Sequence, residues 1–349
     1  MNNKLNRNEI KADDFNSINA VSPSNIALVK YWGKLDGQIP MNPSISYTLD
    51  KCHTSFEVFF KRSESPKNPT FYFEGILSPE FGSKSFKLID KIASDFPALK
   101  NYELILNSKN SFPHSSGIAS SASSMSALSM CLLGILKKSS DLNLVSYYAR
   151  LGSGSACRSL FHPLASWGGN ELGDEFKDEY ATEISEGIHE KLKNVGDTIV
   201  LVHEGEKSVS STKGHALMNC HPYRETRVKN ANKNYLDLLS ALKTGDIRRW
   251  GEIIESEALE LHAMMMTSSP GYLLIRPRTL EVIEVVRQLR KTYSVNTYFT
   301  LDAGPNVHIL YPIDEKEKVL PLLDKYLPSL KLIHDQVGEG TRLVTGDEC

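Results

Sequence analysis

One stretch constrains the chain more than any other. Phe112-Pro113-His114-Ser115-Ser116-Gly117-Ile118-Ala119-Ser120-Ser121-Ala122-Ser123 is a serine-rich loop that runs straight into an apolar segment. Before it, Tyr102 to Leu106 reads as a strand. After it, Met125, Leu128, Leu132, Ile135 and Leu136 recur at spacings of three and four, the period of a helix. The loop therefore ends on a helix N-terminus, whose free N–H groups and positive dipole end suit phosphate. Glycine allows a ligand to come close to the backbone. A serine cap would explain one hydroxyl, yet Ser115, Ser116, Ser120, Ser121, Ser123 and Ser124 cluster here. Phosphate binding is the favoured reading. It is not a Walker A loop, because no Gly-Lys-Ser/Thr follows.

The rest of the chain mixes strands and helices in both halves. Ser55 to Phe60 and Thr70 to Phe73 read as strands, and Leu144 to Leu151 as a short helix stopping before Gly152. A new phase begins near Asp197, with a buried strand over Thr198 to Val202. Leu236 to Leu242 and Trp250 to Leu261 are helical by period. Arg278 to Leu289 is a further helix after Pro277, with Leu280, Ile283, Val286 and Leu289 on one face. Val295 to Leu301 and Val307 to Tyr311 read as strands around a tight turn. The fold class is α+β. The expected division is a polar tail over 1–17, loosely ordered, then units over 18–195 and 196–349.

Four other stretches carry chemistry. Asn25 to Lys34, NIALVKYWGK, ends an apolar run in two lysines, two aromatics and a glycine. It reads equally as an amphipathic strand end with its lysines in water or as an anion site with an aromatic wall. Gly152-Ser153-Gly154-Ser155-Ala156-Cys157-Arg158-Ser159 combines small residues and hydroxyls with one arginine, able to clamp a carboxylate or phosphate with two parallel bonds. A flexible loop with a solvated arginine is the alternative. Leu301-Asp302-Ala303-Gly304-Pro305-Asn306 places a carboxylate at the end of an apolar strand, where an ordinary turn aspartate is the simpler account. Val209-Ser210-Ser211-Thr212-Lys213-Gly214 again sets hydroxyls near glycine.

Composition excludes several classes. The 349 residues carry a net charge of −2 with no basic block, so nucleic acid is not an expected partner. No apolar run reaches the roughly 18 residues a membrane span requires, and the polar N-terminus is no secretory signal. The cysteines Cys52, Cys131, Cys157, Cys220 and Cys349 are scattered, odd in number and without C-x-x-C, which argues against a disulfide framework or structural zinc and favours a reducing, cytoplasmic setting. The ten histidines are scattered too, and each alone reads as surface or core rather than metal ligand.

Taken together, Lys-Tyr-Trp-Gly-Lys with Asn42-Pro43-Ser44-Ile45-Ser46, the Gly-Ile-Ala-Ser-Ser-Ala loop, Gly-Ser-Gly-Ser-Ala-Cys-Arg-Ser, Ser-Ser-Thr and Asp-Ala-Gly-Pro-Asn fall in the order seen in diphosphomevalonate decarboxylases. The chain resembles that family, part of the GHMP kinase superfamily, from about Ser22 to Leu310. The resemblance implies a ribosomal protein S5 domain 2-like N-terminal domain, a ferredoxin-like C-terminal domain, an active site between them and a homodimer. It implies use of ATP and Mg²⁺ to phosphorylate the tertiary hydroxyl of mevalonate 5-diphosphate, with loss of phosphate and carbon dioxide to give isopentenyl diphosphate.

Residue by residue, the resemblance gives Tyr31 and Lys34 the diphosphate, and places Lys30 near the reacting centre beside Asp302. It gives Arg158 the carboxylate that is lost, with Ser153, Ser155, Ser210 and Ser211 helping to bind substrate. Ser115, Ser116, Gly117, Ala119, Ser120, Ser121 and Ser123 would serve the ATP phosphates, with Ser121 near the metal. Asp302 acts as base or orients the hydroxyl, and both roles stay open. The chain departs from the family pattern at His114-Ser115-Ser116, at Pro43 and at Phe161-His162-Pro163, and Ile76 to Ala98 shows no match. Other readings are a phosphomevalonate decarboxylase, a mevalonate 3-kinase, another small-molecule GHMP kinase and a nucleotide-binding regulator with the same fold.

Overall fold

Apolar residues set among polar ones over 16–29 and 44–62 form the two longest strands of the larger sheet. The computed structural model describes residues 4–113, 120–203, 205 and 209–345. It begins with α1 (Arg7–Ala12), β1 (Asn16–Val29), β2 (Ser44–Arg62), β3 (Thr70–Phe73), β4 (Ile76–Leu77), α2 (Ser83–Asp95), β5 (Tyr102–Asn110), α3 (Ser120–Ile135), α4 (Leu142–Gly152), β6 (Leu164–Trp167) and β7 (Thr182–Ile184). Then come α5 (Glu190–Lys193), β8 (Val195–Leu201), α6 (Ser211–Leu217), α7 (Arg224–Thr244), α8 (Ile247–Met266), α9 (Pro277–Tyr293), β9 (Tyr298–Thr300), β10 (Val307–Pro312), α10 (Lys316–Tyr326), β11 (Lys331–Gln336) and β12 (Arg342–Val344).

The first sheet runs β12-β1-β2-β5-β3-β4, with β6 on β2 and β7 on β6. Among the described residues only β3 and β5 pair in parallel. The second sheet runs β11-β8-β10-β9 and is antiparallel throughout. β12 returns to the first sheet from the far end of the chain, setting Asn19 opposite Val344. Thr341 just before it bonds Ser22 and Ser126.

α3 is buried on nearly every side, its small and apolar residues letting it sit surrounded by other elements. It packs on β1 and β2 with α4 beside it, and Leu128, Cys131, Leu132 and Leu133 are fully buried. The expected helices and strands are present, with shifts at their ends. α4 starts earlier than expected because Asp141 caps it, accepting from Leu144 N–H at 3.0 Å. β9 is shorter than expected: Asn296 N–H is taken by Glu315 and Thr297 C=O by Arg290, so side chains replace the ladder there. Leu280 does not share the buried face of α9. It is half exposed, while Val282, Ile283, Val286 and Leu289 are buried. The polar lead-in is not loose throughout: α1 forms, Leu5 N–H bonds Gly75 C=O, and Arg7 pairs with Glu57 at 2.8 Å.

Candidate active site

β1 ends at Val29, so the peptide of Lys30 leaves the sheet with no strand to receive it. Two buried helix residues take its place. Glu257 of α8 accepts the Lys30 N–H at 2.9 Å, and Arg227 of α7 donates to the Lys30 C=O at 2.6 Å. Arg227 and Glu257 pair with each other at 2.6 Å, both fully buried. Asn234 and Glu260 complete the network. Burial opposes ionisation of Glu257, but Arg227 outweighs it and holds the carboxyl below its usual range.

The Lys30 side chain is buried too, which removes the reading of a lysine in water. Its Nζ donates to Asp302 Oδ1 at 2.8 Å. Burial lowers the lysine pKa, and Asp302 pulls it partly back. The Asp302 side chain is 30% exposed and lies on the wall of a cavity of about 670 Å³. Its loop is pinned by His262 against the Asp302 carbonyl and by Asn306, which accepts from Val202 and His203 N–H.

Arg158 sits in the short 3₁₀ turn Gly154–Leu160 and is 2% exposed. Its Nε and Nη1 donate to the hydroxyls of Ser46 and Ser44, at 3.0 and 2.9 Å. Tyr31 and Trp167 lie under the guanidinium. No carboxylate of the described residues is within ion-pair reach of it, so a buried cation faces the cavity with neutral partners only. Gly154 makes this packing possible: a β-carbon there would stand 2.6 Å from the Tyr31 hydroxyl oxygen.

Lys34 lies on the cavity wall, bonded to Gln38 at 2.5 Å. Burial, with a smaller contribution from Lys84, pulls its pKa down to about 8. Ser120, Ser121, Ser153, Ser155, Ser210 and Ser211 line the same cavity, as does Tyr31. Ser210 also caps α6. Ser123 does not line it. It is buried, with its hydroxyl committed to Thr54 at 2.6 Å and to the Ser120 carbonyl, so it braces α3. Ser115, Ser116, Gly117 and Ala119 lie outside the described residues.

Among the wall residues that escaped the sequence reading, two are titratable. Lys84, in the stretch without a recognisable pattern, reaches Ser121 Oγ at 3.2 Å. His215 stands past the Ser-Ser-Thr stretch, stacked on Tyr31 with ring centroids 4.6 Å apart. A lone histidine carries no spacing signal, and only the fold brings it here.

Hydroxyls at a helix start with one lysine bonded to them, a second lysine on the same cavity wall and a buried arginine sharing the cavity with a carboxylate define a protein that handles phosphorylated, carboxylate-bearing small molecules. The comparisons narrow this class. A family model described as the diphosphomevalonate decarboxylase-like N-terminal domain matches residues 22–180, and one described as the mevalonate 5-diphosphate decarboxylase C-terminal domain matches residues 198–345. A diphosphomevalonate decarboxylase of Ganoderma lucidum is 29% identical over 91% of this chain and 84% of its own length. The solved mevalonate diphosphate decarboxylase of Staphylococcus aureus is 30% identical, with TM-score 0.84, over 96% of this chain and 99% of that one. A solved structure of MDDEF in complex with MVAPP, AMPPCP and magnesium is 31% identical, also with TM-score 0.84, over 95% and 99% of the two chains. The chain belongs to the diphosphomevalonate decarboxylase family, and its α+β architecture is the GHMP kinase fold expected from the sequence.

Proposed function

We propose that this enzyme carries out the ATP-dependent decarboxylation of mevalonate 5-diphosphate to isopentenyl diphosphate, releasing ADP, phosphate and carbon dioxide. The observation that carries the reading is the Lys30–Asp302 pair on one wall of the cavity that Arg158 also lines. A substrate with a diphosphate at one end and a carboxylate at the other matches this distribution of cations, with Lys34 and Tyr31 for the diphosphate and Arg158 for the carboxylate.

The donor set fits ATP and Mg²⁺. Ser120 and Ser121 present hydroxyls at the start of α3, and Lys84 adds a positive charge beside them. Magnesium keeps several waters and binds through phosphates with one or two protein groups, so Ser121 beside the phosphates suffices as its protein contact. When bound, the pair supplies the phosphoryl group that turns the tertiary hydroxyl into a leaving group.

Asp302 accepts a hydrogen bond from that hydroxyl, taking its proton or aiming its oxygen. Lys30 holds that carboxylate in place through its 2.8 Å ion pair. Arg158 holds the substrate carboxylate in line with the C–O bond that breaks. As phosphate departs, the electrons of the C–C bond to the carboxylate form the double bond and carbon dioxide leaves. Fixed cations around the cavity stabilise the departing phosphate. Ser153 and Ser155, with Ser210 and Ser211 across the cavity, fix the substrate between the two ends. We also propose that residues 18–195 provide the ATP-binding unit and 196–349 the second unit, and that the enzyme works as a cytoplasmic homodimer. Light scattering at micromolar concentration tests the dimer.

The deciding assay supplies ATP and Mg²⁺ with mevalonate, its 5-phosphate and its 5-diphosphate in parallel, following ADP and carbon dioxide. Equal yields of both from the diphosphate alone are expected. The same from the monophosphate would reassign the substrate, and ADP without carbon dioxide would make this a 3-kinase.

A pH dependence follows from Lys34. With its pKa lowered to about 8, the lysine is charged below that pH and neutral above it. The kcat/KM for the diphosphate, which reports free-enzyme ionisations, should fall as pH rises through about 8. Lys34→Arg stays charged and should flatten that limb. An unchanged limb in the arginine variant would remove Lys34 from the diphosphate site.

A further inference from the structure

His215 is carried by α6 to the cavity wall and is 6% exposed. Its ring stacks on Tyr31 and tilts against Trp32, with centroids 4.6 and 4.4 Å apart. The Gly33 N–H donates to His215 Nδ1 at 3.0 Å. Gly33 has φ +104°, and a β-carbon at that position would collide with Met41 Sδ, so only glycine presents its N–H there without strain.

A ring nitrogen accepts a hydrogen bond only when it carries no proton, so the neutral imidazole has its hydrogen on Nε2. Burial, with help from Lys34, holds the imidazole well below its ordinary pKa and keeps it neutral. No acceptor among the described residues takes the Nε2–H, and that nitrogen is not one of the buried atoms closed off without a partner, so it opens to the cavity that His215 lines. The two aromatic rings cover the faces of the imidazole, so what accepts from its one remaining donor stands in the cavity. Lys34 beside it is itself a donor, and no carboxylate of the described residues pairs with it. A fixed N–H donor on the same wall as the Lys34 ammonium is placed to meet an anionic oxygen of a bound ligand.

We propose that His215 is a specificity-determining binding residue, whose Nε2–H donates to a phosphate oxygen of the diphosphate that Lys34 and Tyr31 face. This rests on the substrate orientation given above. The ring cannot swing between its aromatic neighbours, so the donor is fixed in place. Lys34 supplies charge without direction, and His215 supplies direction without charge.

Two substitutions separate its two nitrogens. Asparagine can keep the Nδ1-like acceptor for Gly33 but loses the distal donor. Glutamine reaches the Nε2 position but gives up the Gly33 contact. With the diphosphate as substrate, His215→Asn should raise KM about tenfold to a hundredfold with kcat changed far less, as expected for a lost hydrogen bond to a charged group. His215→Gln should recover most of that loss. KM for ATP should stay level in both. Recovery by asparagine instead of glutamine, or equal damage in both, would mean that His215 acts only through Gly33 and would overturn the proposal.

A second measurement needs no variant. In protein labelled with ¹⁵N-histidine, one neutral Nε2–H ring should shift on addition of mevalonate 5-diphosphate without ATP. No shift at saturating diphosphate would overturn the proposal. If the unmodified enzyme fails to release carbon dioxide from the diphosphate, the functional reading fails by itself. A histidine shift with inorganic pyrophosphate would still uphold the phosphate contact.

Discussion

Asp302→Asn should lower the release of both ADP and carbon dioxide from mevalonate 5-diphosphate by about 10²–10⁴-fold, the range for removing a general acid–base group. The amide keeps the shape of the carboxylate but can neither take a proton nor hold the charge that pairs with Lys30. ATP affinity should stay near that of the parent, because Ser120, Ser121 and Lys84 are untouched. The change should also move Lys30. Burial lowers the pKa of its ammonium, and Asp302 is the largest influence pulling it back. Without that charge Lys30 becomes easier to neutralise, so glutamate at 302 should restore more activity than asparagine. Equilibrium binding of an ATP analogue and single-turnover release of ¹⁴C-carbon dioxide check both halves of the expectation. Undiminished carbon dioxide release from Asp302→Asn would remove the residue from the chemistry.

The second large effect is expected just behind the cavity wall. Glu257→Gln leaves the guanidinium of Arg227, fully buried, without its charged partner of 2.6 Å. Breaking one side of such a pair costs about 3–5 kcal/mol. Glu260 also pairs with Arg227, at 2.9 Å, but its side chain is 26% exposed and compensates only in part. Denaturant unfolding should show the loss as a lower midpoint. The double variant Arg227→Met with Glu257→Met should recover much of the stability, since apolar replacement of a buried pair is often neutral or better. Turnover should not recover with it. The pair grips both the N–H and the C=O of Lys30, and the methionines grip neither. If the double variant regains both stability and kcat, the pair does not position Lys30.

How far the sequence shows these features depends on the range over which each is determined. The α3 helix is legible because its period lies in sixteen consecutive residues. The strand ending at Val29 is legible for the same reason. That Lys30 is buried is not, because its partners arrive from α7 and α8, where arginine and glutamate look like ordinary surface charge. Asp302 reads as a turn aspartate until β1 and β9 are brought together, with Thr300 Oγ1 against the Ala27 carbonyl. Ser123 illustrates the opposite error. It shares the composition of the loop before it, but its hydroxyl is taken up by Thr54 and the Ser120 carbonyl instead of facing the cavity. Lys84 and His215 had no local pattern to announce them, and each acquires meaning only from the wall it stands in.

The return of β12 to β1 also bears on how the protein is made. Residues 19–21 of β1 find β2 on one side early, yet the other side has to wait for Arg342–Val344 to emerge. Until then a strand edge with unpaired N–H and C=O groups is open to other chains. Closing so long a loop is slow, because its entropy is lost before the pairing compensates. The growing polypeptide therefore passes through a stage in which most of the first sheet can form but its border stays uncovered. Crowded ribosomes on one message would bring such borders together, and the yield of active enzyme would be set during synthesis as much as by final stability.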